Sequence, residues 1–125
     1  MSLRSPIGRV LGLGSAKEGV GHWWSQRVSA VALVILTLWF VSALLRLDEL
    51  SYPLVTAWLA KPVNAVLMAL LVATTAYHSQ LGVQVVVEDY VAGKGAKVVA
   101  LLMSNFLHVA LGALALFAAT LVLQP

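Results

Sequence analysis

The chain has 125 residues, 61% of them apolar and only 10% charged, with a mean hydropathy of +0.93 and a formal net charge of +3. That is too apolar for a soluble domain of this size, so the chain reads as an all-α, multi-pass integral membrane protein with no room for a soluble catalytic domain. The basic residues form no patch with interleaved aromatics, which excludes nucleic acid as a partner, and the lack of cysteine excludes disulfides, iron-sulfur ligation and S-acylation by this chain.

The amino-terminal segment, 1–23, is expected to lie outside the bilayer. Gly12, Gly14, Gly19 and Gly21 punctuate it. Its best phosphate-loop match, GLGSAK, has the wrong glycine spacing and follows no strand, so a nucleotide site is set aside. The segment is too long and too weakly apolar before Arg27 for a signal peptide, and no small-residue cleavage site follows the first apolar run.

Eighteen uncharged residues, Val28 to Leu45, then twenty-six, Pro62 to Val87, and finally everything after Lys97 form three apolar runs. A span needs roughly 20 apolar residues, so these predict transmembrane helices at about 24–45, 62–88 and 97–123. Trp23 and Trp24 stand at the entry to the first helix, Tyr52 and Trp58 in the first loop, and Tyr90 at the end of the second helix, all positions for interface anchors. Between Arg46 and Lys61 the residues Asp48, Glu49, Ser51 and Pro53 predict a loop, and Val91 to Gly95 a turn. With the amino terminus inside, six basic residues (Arg4, Arg9, Lys17, Arg27, Lys94, Lys97) face the cytoplasm against two outside (Arg46, Lys61), which predicts an N-in, C-out topology.

The most informative stretch is HSQLGVQVVVEDY, His78 to Tyr90. At about 100° per residue, the eleven steps from His78 to Asp89 make three turns plus about 20°, so both lie on one stripe of one helix. His78 falls roughly 13 Å inside Val87, near mid-bilayer, where an ionisable residue points to function. Neutral imidazole is a common iron ligand, and Thr74 and Gly82, one turn either side, offer a small surface for a flat macrocycle. A histidine bonded to a neighbouring helix is the alternative. His108 lies at similar depth on the third helix. It could be a second ligand in the same chain, but it sits on a small, polar stripe with Ser104, Gly112, Ala115 and Ala119, which favours helix packing. Tyr90 could donate to a quinone carbonyl with Asp89 relaying protons, or the pair could be an interfacial anchor. Arg27 could pair with a propionate or simply snorkel.

RSPIGRVLGLGSAKEGVGHWWSQRVSAVAL, followed at its expected distance by HSQLGVQVVVEDY, resembles the hydrophobic membrane anchor subunit of succinate dehydrogenase, respiratory complex II. The resemblance covers essentially the whole chain and implies one membrane-anchor domain, 1–125, packed with a second membrane subunit into a helical bundle in the bacterial inner membrane. It implies that His78 is an axial ligand of a b-type haem whose other histidine comes from the cytochrome b556 subunit. Tyr90 would hydrogen-bond ubiquinone, Asp89 would deliver protons or hold that site, and Arg27 would support the propionates and the quinone pocket. No catalytic residue for succinate oxidation falls in this chain, which counts as an enzyme only as part of the complex. FAD and the iron-sulfur clusters belong to the flavoprotein and iron-sulfur subunits. The alternatives are a self-contained small cytochrome b using His78 and His108, or a fumarate reductase anchor.

Overall fold

The structure is a computed structural model that describes residues 19–122. The glycine-rich segment with Arg4, Arg9 and Lys17, and the expected end of the last helix at 123, lie outside the described residues. Four helices follow in order: α1 (Gly19–Leu44), α2 (Tyr52–Leu59), α3 (Pro62–Tyr90) and α4 (Lys94–Val122). No strand occurs among the described residues.

Three of these helices, α1, α3 and α4, are long and apolar enough to cross a bilayer. Each runs beyond the uncharged stretch that marks it in the sequence. α1 begins five residues before the expected start at 24, and α3 carries Glu88, Asp89 and Tyr90 in its last turn. A helix satisfies its own backbone regardless of solvent, so it need not stop where the apolar residues do. Only Val91 to Gly93 separate α3 from α4, and the bend is tied by the Lys97 amide donating to the Gly93 carbonyl at 2.8 Å and by Lys97 Nζ donating to the carbonyl of Glu88.

The segment expected as a loop between Arg46 and Lys61 contains α2, and the expectation is corrected on this point. Ser51 is extended and Pro53 sits at the first helical positions, where a missing N–H and a fixed φ favour the start of a helix. Asn64 Nδ2 donates to the Trp58 carbonyl at 2.7 Å, binding the end of α2 to the start of α3. Trp58 also stacks on Trp39 of α1 at 5.7 Å between ring centroids, with Phe40 beside them. At the other end of α1, Trp23 and Trp24 stack at 5.9 Å. The sixteen residues from Trp23 to Trp39 span about 24 Å of helix, so aromatic groups bracket a hydrocarbon-sized layer.

α3 is the middle of the molecule. It packs against α1, α2 and α4, and no comparable contact joins α1 to α4. The long helices therefore form a single layer, α1–α3–α4, rather than a closed bundle. Only Leu36, Leu59 and Leu81 are buried apolar side chains among the described residues, while Val31, Leu38, Phe106, Phe117 and many others face outward. Such a surface suits lipid or another membrane protein, not water. Exposed hydroxyls bond back to their own helices: Ser42 to the Trp39 carbonyl, Thr75 to that of Leu71 and Thr120 to that of Phe117, at 2.7 to 2.8 Å. In hydrocarbon there is no water to do this instead.

Candidate functional site

His78 lies half-buried on α3, facing α1. Its Nδ1 is 2.9 Å from the hydroxyl of Ser29, and its Nε2 is 3.5 Å from the side-chain nitrogen of Gln26, at the outer limit of a hydrogen bond. Ser29 is the only buried polar side chain among the described residues, and its hydroxyl also lies 2.7 Å from the carbonyl of Ser25. Two grooves flank His78 along this seam. One, of about 560 Å³, is lined by Trp24, Ser29, Thr74 and Tyr77 among others. The second, of about 460 Å³, is lined by His22, Trp23, Gln26, Arg27, Gly82, Val85 and Glu88. Thr74 and Gly82, the stripe neighbours of His78, thus open onto one groove each.

Within the second groove two buried polar atoms have no hydrogen-bond partner among the described residues, Nε2 of His22 and Oε1 of Gln26. Unsatisfied buried polar atoms are uncommon in native folds, so a cluster of two invites a bound group. Gly82 lines the groove on the α3 side, and a Cβ there would meet Gln26 Nε2 in ordinary contact at 3.8 Å. Arg27 brings its positive charge to the same groove, its guanidinium 5.5 Å from the centre of the Trp23 ring. Asp89 and Tyr90 do not line it. Both are exposed at the end of α3, Tyr90 at 84%, and no partner among the described residues takes the Tyr90 hydroxyl.

A family model described as "Succinate dehydrogenase/Fumarate reductase transmembrane subunit" matches residues 1–120. The chain belongs to this family. It is 36% identical over 107 residues to the succinate dehydrogenase hydrophobic membrane anchor subunit of Paracoccus denitrificans, covering 86% of this chain and 82% of that one. Against the subunit of the same name from Rickettsia bellii (strain RML369-C) the identity is 36% over 89 residues, 71% of each chain. A succinate dehydrogenase membrane anchor subunit of Reclinomonas americana is 31% identical over 91 residues, 70% of this chain and 75% of that one.

In this membrane subunit His108 is occupied elsewhere. Its Nδ1 is 2.8 Å from the carbonyl of Ser104, one turn back on α4, to which it donates, and its Nε2 is 3.1 Å from the Ser79 hydroxyl on α3. His78 and Gln80 are about 200° apart around α3, so the first meets α1 while Gln80 meets Asn105 of α4. The two histidines therefore belong to separate seams and do not face one another. The α3–α4 seam is joined by small residues, Gly112 allowing Ala76 to within 3.4 Å of where its Cβ would be, and by an amide pair, with grooves of about 340 and 580 Å³ opening beside Ala76, His108 and Gly112. Gln80 Nε2 donates across the seam to Asn105 Oδ1 at 2.6 Å, while within α3 Gln84 Nε2 donates to Glu88 Oε1 at 2.8 Å.

Ser29, Gln26 and His22 escaped the sequence analysis. Their spacing on α1 is the signal that could have found them, since 22, 26 and 29 fall at i, i+4 and i+7, a polar stripe entering an apolar helix.

Proposed function

We propose that this chain is the membrane anchor of a succinate:ubiquinone oxidoreductase of the bacterial inner membrane. In this proposal it contributes one axial ligand, His78, to a haem b and part of the ubiquinone-reduction site through Tyr90 and Asp89. The observation that carries the haem assignment is the environment of His78: an imidazole inside an apolar helix, one nitrogen held by a buried hydroxyl and the other meeting only a long amide contact, beside grooves that Thr74 and Gly82 leave open. The two unpartnered polar atoms and Arg27 fit the polar edge of such a macrocycle. One histidine cannot complete six-coordinate iron. The second ligand is assigned to a cytochrome b556 partner, because His108 spends both nitrogens on its own seam.

Bound there, the haem would supply a one-electron carrier at mid-membrane depth. His78 would hold and orient it, and Arg27 would offset negative charge at its edge. At the end of α3 the Tyr90 hydroxyl is free to donate to a quinone carbonyl, and the neighbouring Asp89 carboxyl can hand a proton to that oxygen as it gains charge. Both residues are exposed, so the remaining wall of the quinone site belongs to partners. An N-in topology, as the basic residues predict, would put this end of α3 on the cytoplasmic side, beneath the flavoprotein and iron-sulfur subunits that would oxidise succinate with FAD and iron-sulfur clusters. The succinate dehydrogenase names of the relatives favour this direction of chemistry over a fumarate reductase anchor.

Replacing His78 by Ala in the assembled complex should abolish or strongly perturb the low-spin b-type spectrum, whereas His108→Ala should largely preserve it. An unchanged spectrum in the first variant rejects the assignment.

A further inference from the structure

We infer that Ser29 is the positioning residue for His78, accepting the imidazole Nδ1–H and so presenting the Nε2 lone pair to iron. The inference rests on the proposed ligation by His78 and adds a residue that sets its tautomer and basicity.

Two hydrogen-bond networks satisfy the ring in this geometry. In the first, the Ser29 hydroxyl gives its proton to the Ser25 carbonyl at 2.7 Å, and its oxygen accepts from His78 Nδ1–H at 2.9 Å. In the second, Ser29 donates to Nδ1, the proton sits on Nε2, and the Gln26 amide turns to offer its unpartnered oxygen. A hydroxyl has one proton, so it cannot serve both acceptors fully. Only the first network leaves Nε2 free to coordinate, and it uses the shortest of the hydroxyl's three contacts, 2.7 Å to the Ser25 carbonyl against 2.9 Å to His78 and 3.2 Å to the Gln26 carbonyl. Ligation therefore selects it, and Ser29 is the acceptor already in place.

Three further features fit this role. Ser29 is 6% exposed, so no water or lipid headgroup competes for its oxygen. The back-bond to Ser25, four residues earlier, fixes the direction of the hydroxyl and frees its lone pairs toward α3. The Gln26 amide, 3.5 Å from Nε2, is the one hydrogen-bonding group in contact with the ligating nitrogen among the described residues. Gly82 leaves it room to withdraw, because nothing else lies within 4 Å of the position a Cβ would take. An acceptor on the distal nitrogen of a metal-bound histidine fixes the ring and raises its basicity, and removing such a partner weakens metal affinity by about 10- to 100-fold. A more basic ligand favours ferric over ferrous iron. Loss of the Ser29 oxygen should therefore move the haem midpoint potential upward as well.

The test compares Ser29→Thr with Ser29→Val in the assembled, purified complex, two side chains of one shape that differ in the hydroxyl. Ser29→Thr should match the wild type in haem retained after detergent washing and in midpoint potential. Ser29→Val should retain haem about 10- to 100-fold less tightly, and the haem still bound should titrate at a higher potential. A purely packing role would change yield without moving that potential. Equal potentials and equal retention in the two variants, at whatever yield, would overturn the assignment of Ser29 if His78→Ala still abolishes the spectrum. If His78→Ala leaves the spectrum intact, the ligand assignment itself fails.

Discussion

Tyr90→Phe removes one hydroxyl and keeps the ring. In the chain itself this should cost almost nothing, because Tyr90 is 84% exposed, ends α3, and gives its hydroxyl to no partner among the described residues. Surface changes of this kind stay within about 0.5 kcal/mol of stability. The whole effect should then fall on the quinone. A lost hydrogen bond to a neutral carbonyl, at about 0.5 to 1.5 kcal/mol, slows reduction by about 2- to 13-fold. If the oxygen carries charge when the bond matters most, about 1.5 to 3 kcal/mol gives about 13- to 160-fold. The assay pairs succinate oxidation by a short-chain ubiquinone with succinate oxidation by a soluble dye, in the same preparation. The quinone rate should fall and the dye rate should survive, since the dye draws electrons outside the membrane. An unchanged quinone rate would refute the donor role and leave Tyr90 an interfacial anchor, and a parallel loss of both rates would point to damaged assembly.

Asp89→Asn should lower the quinone reductase rate and alter its pH profile while sparing dye reduction, and a profile identical to wild type removes Asp89 from proton delivery. A reporter fused after Pro125 should be periplasmic and one inserted between Gly93 and Gly95 cytoplasmic; inverted labelling would carry Tyr90 to the face opposite the soluble subunits. A double-mutant cycle on Gln80→Leu and Asn105→Leu should return a coupling near 0.6 kcal/mol and at most about 1.7 kcal/mol, typical of hydrogen bonds between membrane helices, and no coupling would mean that the 2.6 Å contact does not join α3 to α4.

The three spans were legible because charge is expelled from hydrocarbon, and the gaps between Arg27, Arg46, Lys61, Glu88 and Lys97 record that expulsion. What charge gaps do not encode is where the helical backbone starts and stops, so α1 and α4 begin before their gaps and α3 ends after its own. α2 was misjudged because Asp48, Glu49, Ser51 and Pro53 share turn and cap chemistry. Pro53 belongs to both patterns, since the same residue type marks a loop and opens a helix at its first positions. In the candidate site, the stripe through Thr74, His78 and Gly82 followed from helix period alone. Which helix that stripe faces did not, because period places residues on a face and says nothing about the neighbour. Ser29 could be joined to His78 only once α1 was seen beside α3. The small polar stripe around His108 carried more weight than the histidine on it, and Ser79 and Ser104 account for both of its nitrogens.

The layered order α1–α3–α4 has a consequence for how the chain matures in the bilayer. α3 and α4 are joined by three residues and locked by contacts close in sequence, such as Lys97 to Glu88, so they can pair as a hairpin soon after insertion. The link from His78 to Ser29 spans 49 positions and forms only when the first helix has returned against α3. Until that helix returns, the imidazole on α3 has no buried hydroxyl to orient it, and the flanking grooves have only one wall. Were haem to bind as proposed, its capture would wait for α1 to pack against α3, and a cell that degrades haem-free subunits would discard the misassembled ones without any separate test of their shape.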